Sequence, residues 1–189
     1  MFVPAYHEGN ALYRVWEARA VWTTGSWAAG GGLVPNRADF GIIEVGDRNF
    51  RKHGRRVRER IGDVTGTLGY RTNALSPNHT KQIGYPVEYD FGEIMHQVDS
   101  QSFALFDQET VLYGNDMTGG SSGGPWIENF GRPAEGQTGG FEPVPNRVVG
   151  VASFGFIPPP DFRISGSSIL NDEFLALLDA ACARRAGNC

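Results

Sequence analysis

Gly119-Gly120-Ser121-Ser122-Gly123-Gly124-Pro125 is the stretch on which the reading of this 189-residue chain turns. Glycines on both sides let the backbone enter conformations that side chains forbid, and they let another molecule approach the main chain closely. A nucleophilic serine needs that setting: an exposed hydroxyl beside N–H groups that can hold a developing oxyanion. Flexible Gly/Ser linkers share the composition. Against a linker stand the flanks, Asp116-Met117-Thr118 before the stretch and Pro125-Trp126-Ile127 after it, which reads as the start of a strand.

Working outward, the chain is β-rich up to its last twenty residues. Val, Trp and Tyr crowd Leu12 to Trp22, which favours strand. Phe40 to Val45, Lys81 to Tyr85, Glu93 to Val98, Phe103 to Phe106, Pro125 to Glu128 and Arg147 to Phe154 are further candidate strands. The 26 glycines and 11 prolines punctuate them at short intervals, as in barrels. At the C-terminus Leu170, Phe174, Leu177, Leu178 and Ala181 recur at helical spacing. Asn171 suits the N-cap, Asp172 and Glu173 the first turn, Arg184 and Arg185 the last, with Gly187 beyond.

Hydrophobic residues make up 40% and charged residues 20% of the chain, the proportions of a globular protein. A net charge of −4 gives no case for a nucleic-acid partner, and no apolar run reaches membrane-spanning length. Arg48, Arg51, Lys52, Arg55, Arg56, Arg58 and Arg60 form a dense basic segment. It reads as a solvated loop between two barrels, with an anionic partner as the other reading. Cys182 and Cys189 stand close together at the end of the chain, either as a short disulfide loop or as free thiols. No metal-ligand cluster is visible, and nothing in the chain asks for a cofactor.

The segment Asn115 to Trp126 resembles the active-serine loop of secreted trypsin-like serine peptidases, in the bacterial and fungal branch that includes the glutamyl endopeptidases. Phe2-Val3-Pro4-Ala5-Tyr6, Asp39-Phe40-Gly41-Ile42-Ile43, Gly66-Thr67-Leu68-Gly69-Tyr70-Arg71, Gly84-Tyr85-Pro86 and Val149 to Gly155 resemble that branch in the same order. The resemblance implies a mostly β fold of two six-stranded-type antiparallel β-barrels, the first incomplete, plus a C-terminal α-helix. Residues 1–75 would be what remains of the first barrel, 76–170 the second barrel with the nucleophile loop, and 171–189 the helix and tail.

The resemblance also implies roles. Ser122 is the expected nucleophile, with the N–H groups of Gly120 and Ser122 as oxyanion hole. Asp39 is the expected triad carboxylate; a plain turn residue opening a strand is its other reading. Ser153, Phe154 and Gly155 would line the substrate. Asp116, six residues before Ser122, would sit at the base of the specificity pocket and favour Arg or Lys, or else serve as a structural turn residue. Ser121 replaces the aspartate that pairs with a freed N-terminus in many animal relatives, so activation by that switch is not expected. Ala152 and Ser153 stand where glutamyl endopeptidases place a histidine, which argues against glutamate preference. Relatives often carry a cysteine pair where this chain has Asn115 and Val98.

The family's general base lies in a Thr-Ala-x-His-Cys-like motif, and no such motif occurs here. The expectation is that the chain begins downstream of it. The four histidines, His7, His53, His79 and His96, are candidates only if one folds toward Ser122. Without a base, Ser122 is a weak nucleophile. The functional expectation is therefore a serine endopeptidase domain, inactive as it stands. The alternative is a pseudo-peptidase that binds protein. An α/β-hydrolase esterase is disfavoured, because the serine lacks a Gly-x-Ser-x-Gly strand-to-helix setting. Family resemblance further implies a monomer, a protein or peptide substrate, and a secreted or periplasmic location.

Overall fold

Turns in the left-handed region divide the first part of the chain into hairpins. The computed structural model describes residues 1–106, 109–131, 144–156 and 163–189. Strands β1 (Tyr6–His7) and β2 (Asn10–Ala11) pair with each other, as do β3 (Ala18–Thr23) and β4 (Gly41–Val45), and β5 (Arg48–Lys52) and β6 (Arg55–Glu59). The expected long strand over Leu12 to Trp22 is thus shorter. Arg14 takes φ +66° and its N–H closes a turn on the Ala11 carbonyl; Trp16 then bridges Phe2, and pairing with β4 starts at Ala18. Helix α1 (Gly25–Ala29) follows β3, where the Thr24 hydroxyl accepts the Trp27 N–H (3.0 Å).

The basic segment is not a loop. Arg48 to Glu59 forms a two-stranded antiparallel hairpin closed by His53 and Gly54, both at positive φ. Such a turn matches the right-handed twist of the flanking strands.

One eight-stranded sheet makes up the second half. It contains β7 (Gly69–Tyr70), β8 (His79–Gly84), β9 (His96–Leu105), β10 (Thr110–Gly114), β11 (Pro125–Glu128), β12 (Arg147–Val151), β13 (Phe154–Phe156) and β14 (Ile164–Ser168). Their order is β13-β14-β10-β9-β8-β11-β12-β7, antiparallel except for β12 with β7. The sheet curls on itself. The Val151 N–H in β12 donates to the Ser167 hydroxyl in β14 (3.0 Å), and Gly150 leaves the space that Ser167 fills. Glu93–Val98 and Phe103–Phe106, read as two strands, are largely one continuous strand whose residues alternate between half-buried and exposed. The first half, by contrast, holds three separate two-stranded sheets.

Two further short helices, α2 (Ile61–Thr65) and α3 (Val87–Asp90), precede the C-terminal α4 (Asp172–Arg184). Asn171 caps α4 by accepting the Glu173 N–H (3.0 Å). Leu170 and Leu177 pack with Ala38 and Phe40, and Phe174, Trp22, Ile42, Val148 and Val151 surround them. This cluster joins the first half of the chain to β12. A second cluster, Leu75, Val111, Tyr113, Trp126 and Val149, fills the curled sheet. Cys182 and Cys189 form a disulfide that closes the end of α4 onto the tail.

At the far end of α4, Glu44 is buried and pairs with both Arg184 and Arg185, the latter at 3.1 Å. Removing a buried carboxylate strands its partners, but half-exposed arginines regain water. Glu44→Gln is therefore expected to cost about 2 kcal/mol, a discount on the ~3–5 kcal/mol of a fully buried pair. Urea unfolding of the two proteins measures it; a loss below about 0.5 kcal/mol would remove Glu44 from the account of how α4 is held.

Candidate active site

Four hydrogen bonds shape the glycine-rich stretch. Ser121 N–H donates to the Thr118 carbonyl (3.1 Å) and Gly124 N–H to the Ser121 carbonyl (2.9 Å). Gly123 N–H reaches the Ala152 carbonyl (2.7 Å), and Ala152 N–H returns to the Gly124 carbonyl (2.9 Å). The stretch is therefore a tight turn pinned to the residue after β12, and not a tether. Gly120 has φ +98° and lies so close to the Tyr85 carbonyl and to Val87 that no side chain fits. Val87 N–H, at the start of α3, donates to the Gly119 carbonyl (2.8 Å) and holds this side of the turn.

Ser122 is exposed, and its hydroxyl has no partner among the described residues. The N–H groups of Gly120 and Ser122 are likewise not taken by any acceptor among the described residues. Ser121 is buried, with its hydroxyl 3.6 Å from the Met117 sulfur. Beside Ser122 opens a cavity of about 300 Å³, walled by Gly119, Met117, Phe154, Gly155 and Phe156. Ser122 and Ser153 are both on its surface.

Asp39 comes to the same place from the other half of the chain. Its neighbours Ala38 and Phe40 are both buried in the cluster under α4, which clamps the backbone. The Asp39 N–H donates to the Ser168 hydroxyl (3.2 Å). Its side chain is left to face Ser153, whose hydroxyl donates to Asp39 Oδ2 at 2.5 Å. Oδ1 has no partner among the described residues. Ser153 thus ties the carboxylate to the cavity that Ser122 opens onto.

Asp116 is placed elsewhere. It is exposed, it is not among the cavity's lining residues, and its carbonyl accepts the Tyr89 hydroxyl (2.6 Å). The residue at the cavity wall is the preceding Asn115. Asn115 is buried; its amide donates to the Gln82 side chain, and its Oδ1 accepts from the Ser165 hydroxyl (2.7 Å) and Met117 N–H (3.0 Å). Gln82, Asn115 and Ser165 all line the cavity, so its wall is neutral and polar there. Nothing local marks Gln82 as buried: the apolar side chain of β8 is its neighbour Ile83. The charged residues at the cavity among the described ones, Arg163 and Glu88, pair with each other at 3.0 Å.

None of the four histidines lines the cavity. His7 is exposed beside Glu8, His53 sits at the hairpin turn, and His79 begins β8 at the surface. His96 Nε2 lies 2.6 Å from Asp90 Oδ2, with the Tyr89 ring edge-on to it. The hydrogen bond from His96, helped by the N–H groups of Ile94 and Glu93, holds the Asp90 carboxyl below the usual carboxylate range.

Two solved structures share this architecture. The protease Anisep from Arthrobacter nicotinovorans superposes with a TM-score of 0.71 at 25% identity, over 96% of this chain and 74% of its own. The thermostable serine protease AL20 from an extremophilic microorganism gives a TM-score of 0.71 at 21% identity, over 97% of this chain and 75% of its own. No protein-family model matches the sequence, and no curated protein matches it. The fold is the chymotrypsin-like fold of bacterial serine proteases.

Proposed function

We propose that this chain is the body of a serine endopeptidase that forms its acyl-enzyme on Ser122, with Asp39 as the orienting carboxylate. The observation that carries the reading is the convergence at one cavity: an unpartnered hydroxyl, two unpartnered N–H groups beside it, and a carboxylate tied there through Ser153. Gly120 and Ser122 N–H would hold the oxyanion, each such donor being worth about 3–4 kcal/mol in the transition state. Ser153 to Gly155 would lie along the substrate. An imidazole between Asp39 Oδ1 and Ser122 would take the serine proton and then deliver it to the leaving amine. No described residue that lines the cavity carries an imidazole, so this chemistry requires one supplied to that space. The Cys182–Cys189 disulfide fits a secreted or periplasmic protein.

The second reading, a cleft that binds peptides without cutting them, is favoured by that same lack of an imidazole. Labelling with a fluorophosphonate tests both. The chain alone should label slowly and only at Ser122, with Ser122→Ala as the blank. Adding imidazole to the buffer should speed labelling at least about tenfold, since a free base then enters the space beside Asp39. Fast labelling without imidazole would mean that one of the four histidines serves as base. No labelling under either condition would leave the peptide-binding reading.

A further inference from the structure

We propose that the tip of the β5–β6 hairpin is a docking site for an acidic peptide segment of a partner protein. Residues 48–60 hold seven arginines or lysines against one glutamate, a net +6 in a chain of net −4, so the remaining residues carry −10. Within the hairpin the cations divide into two sets. Arg48 pairs with Glu59 at 3.5 Å and lies over Trp16, and Arg58 reaches Asp47 at 2.5 Å. These contacts anchor the hairpin's base. Arg51, Lys52, Arg55 and Arg56, at the tip, are exposed and have no anionic partner among the described residues.

Register makes the tip unusual. Arg51 stands directly opposite Arg56, and Lys52 directly opposite Arg55. Like charges facing each other across a ladder oppose pairing. A hairpin that served only as a connection would be more stable with either pair mixed in sign. An anion laid across the tip turns both repulsive pairs into one attractive cluster. Three of the four cations are arginines, whose planar forks match carboxylates two bonds at a time.

The charge of the remaining residues narrows the choice of anion. A broad anionic surface, such as a lipid bilayer or a long nucleic acid, would meet the −10 carried elsewhere and be repelled. A short acidic segment reaches four cations without touching the rest. This reading is independent of the chemistry at Ser122.

Fluorescence anisotropy with a labelled octaglutamate peptide tests it on the full chain in 20 mM salt. Binding is expected, with at least a tenfold loss between 20 and 300 mM NaCl as screening shortens. Arg51→Gln/Arg56→Gln should weaken it at least tenfold, and Lys52→Gln/Arg55→Gln likewise. Both variants should melt no lower than the parent, because repulsion is removed. Arg19→Gln/Arg37→Gln changes net charge equally away from the hairpin's tip and should alter binding less than twofold. An equal loss in that control pair overturns the proposal. So does tighter binding to phosphatidylglycerol vesicles or to single-stranded DNA than to octaglutamate, or hairpin-dependent dimers in sedimentation, which would make a second copy the occupant.

Discussion

Gly124→Ala is expected to unfold the chain or bring it to the edge of unfolding. A Cβ at position 124 would overlap the Ile83 carbonyl oxygen and lie 2.8 Å from the Ser121 carbonyl oxygen. Both are backbone atoms, so no rotamer change relieves the contact. Neither partner is free to retreat. Ile83 sits inside β8, paired with β9, while Gly124 itself is pinned by its N–H to Ser121 and its carbonyl to Ala152. Overpacking commonly costs about 1–3 kcal/mol where side chains can shift. Here the ladder must move, and a loss of about 4 kcal/mol, a large part of a typical domain's stability, is expected. Thermal unfolding followed by circular dichroism measures it. A melting temperature within a degree or two of the parent would show that β8 and the turn are not packed as described.

Gly120→Ala is the companion result, with the effect falling on chemistry. The residue has φ +98°, a region that L side chains rarely enter, and a Cβ there would overlap the Tyr85 carbonyl and come within 2.9 Å of Val87. Unlike Gly124, it sits at an exposed turn that can give way. The peptide before residue 120 then rotates and its N–H leaves the mouth of the cavity. Losing one oxyanion donor lowers acylation about 100- to 1000-fold. The comparison should be made by imidazole-assisted labelling of Ser122, with circular dichroism to show that the fold persists. An unchanged labelling rate in a folded variant would take this N–H out of the reaction.

How much of this was legible in one dimension follows the range of the interactions. The serine turn, the strand it opens at Pro125 and the capped helix α4 are set by neighbours in sequence: glycines that permit positive φ, an asparagine that accepts an N–H, apolar residues at helical spacing. Two central strands escaped notice. In β14, Ile164-Ser165-Gly166-Ser167-Ser168, small polar residues resemble a turn, yet all five are buried. Ser165 and Ser167 spend their hydroxyls on Asn115 and on the Ser168 carbonyl. Strand β10, Thr110 to Gly114, lacks alternation because four of its five residues are buried. Period-two patterns mark half-exposed strands, and a strand packed on both faces loses them. In the basic segment, charge density masks the turn at His53 and Gly54.

The residues of the chain therefore suffice to nominate Ser122 and Asp39, since a glycine cradle and a carboxylate opening an apolar strand are local patterns. They do not suffice to say that Asn115 rather than Asp116 faces the cavity. That depends on a one-residue phase, set by a hydrogen bond to Gln82 thirty-three positions away. The meeting of Asp39 with Ser153, 114 positions apart, likewise exists only because the core under α4 holds Ala38 and Phe40 in place. Short-range sterics write themselves into composition and spacing. Side-chain phase and distant pairings arise only when the apolar clusters close.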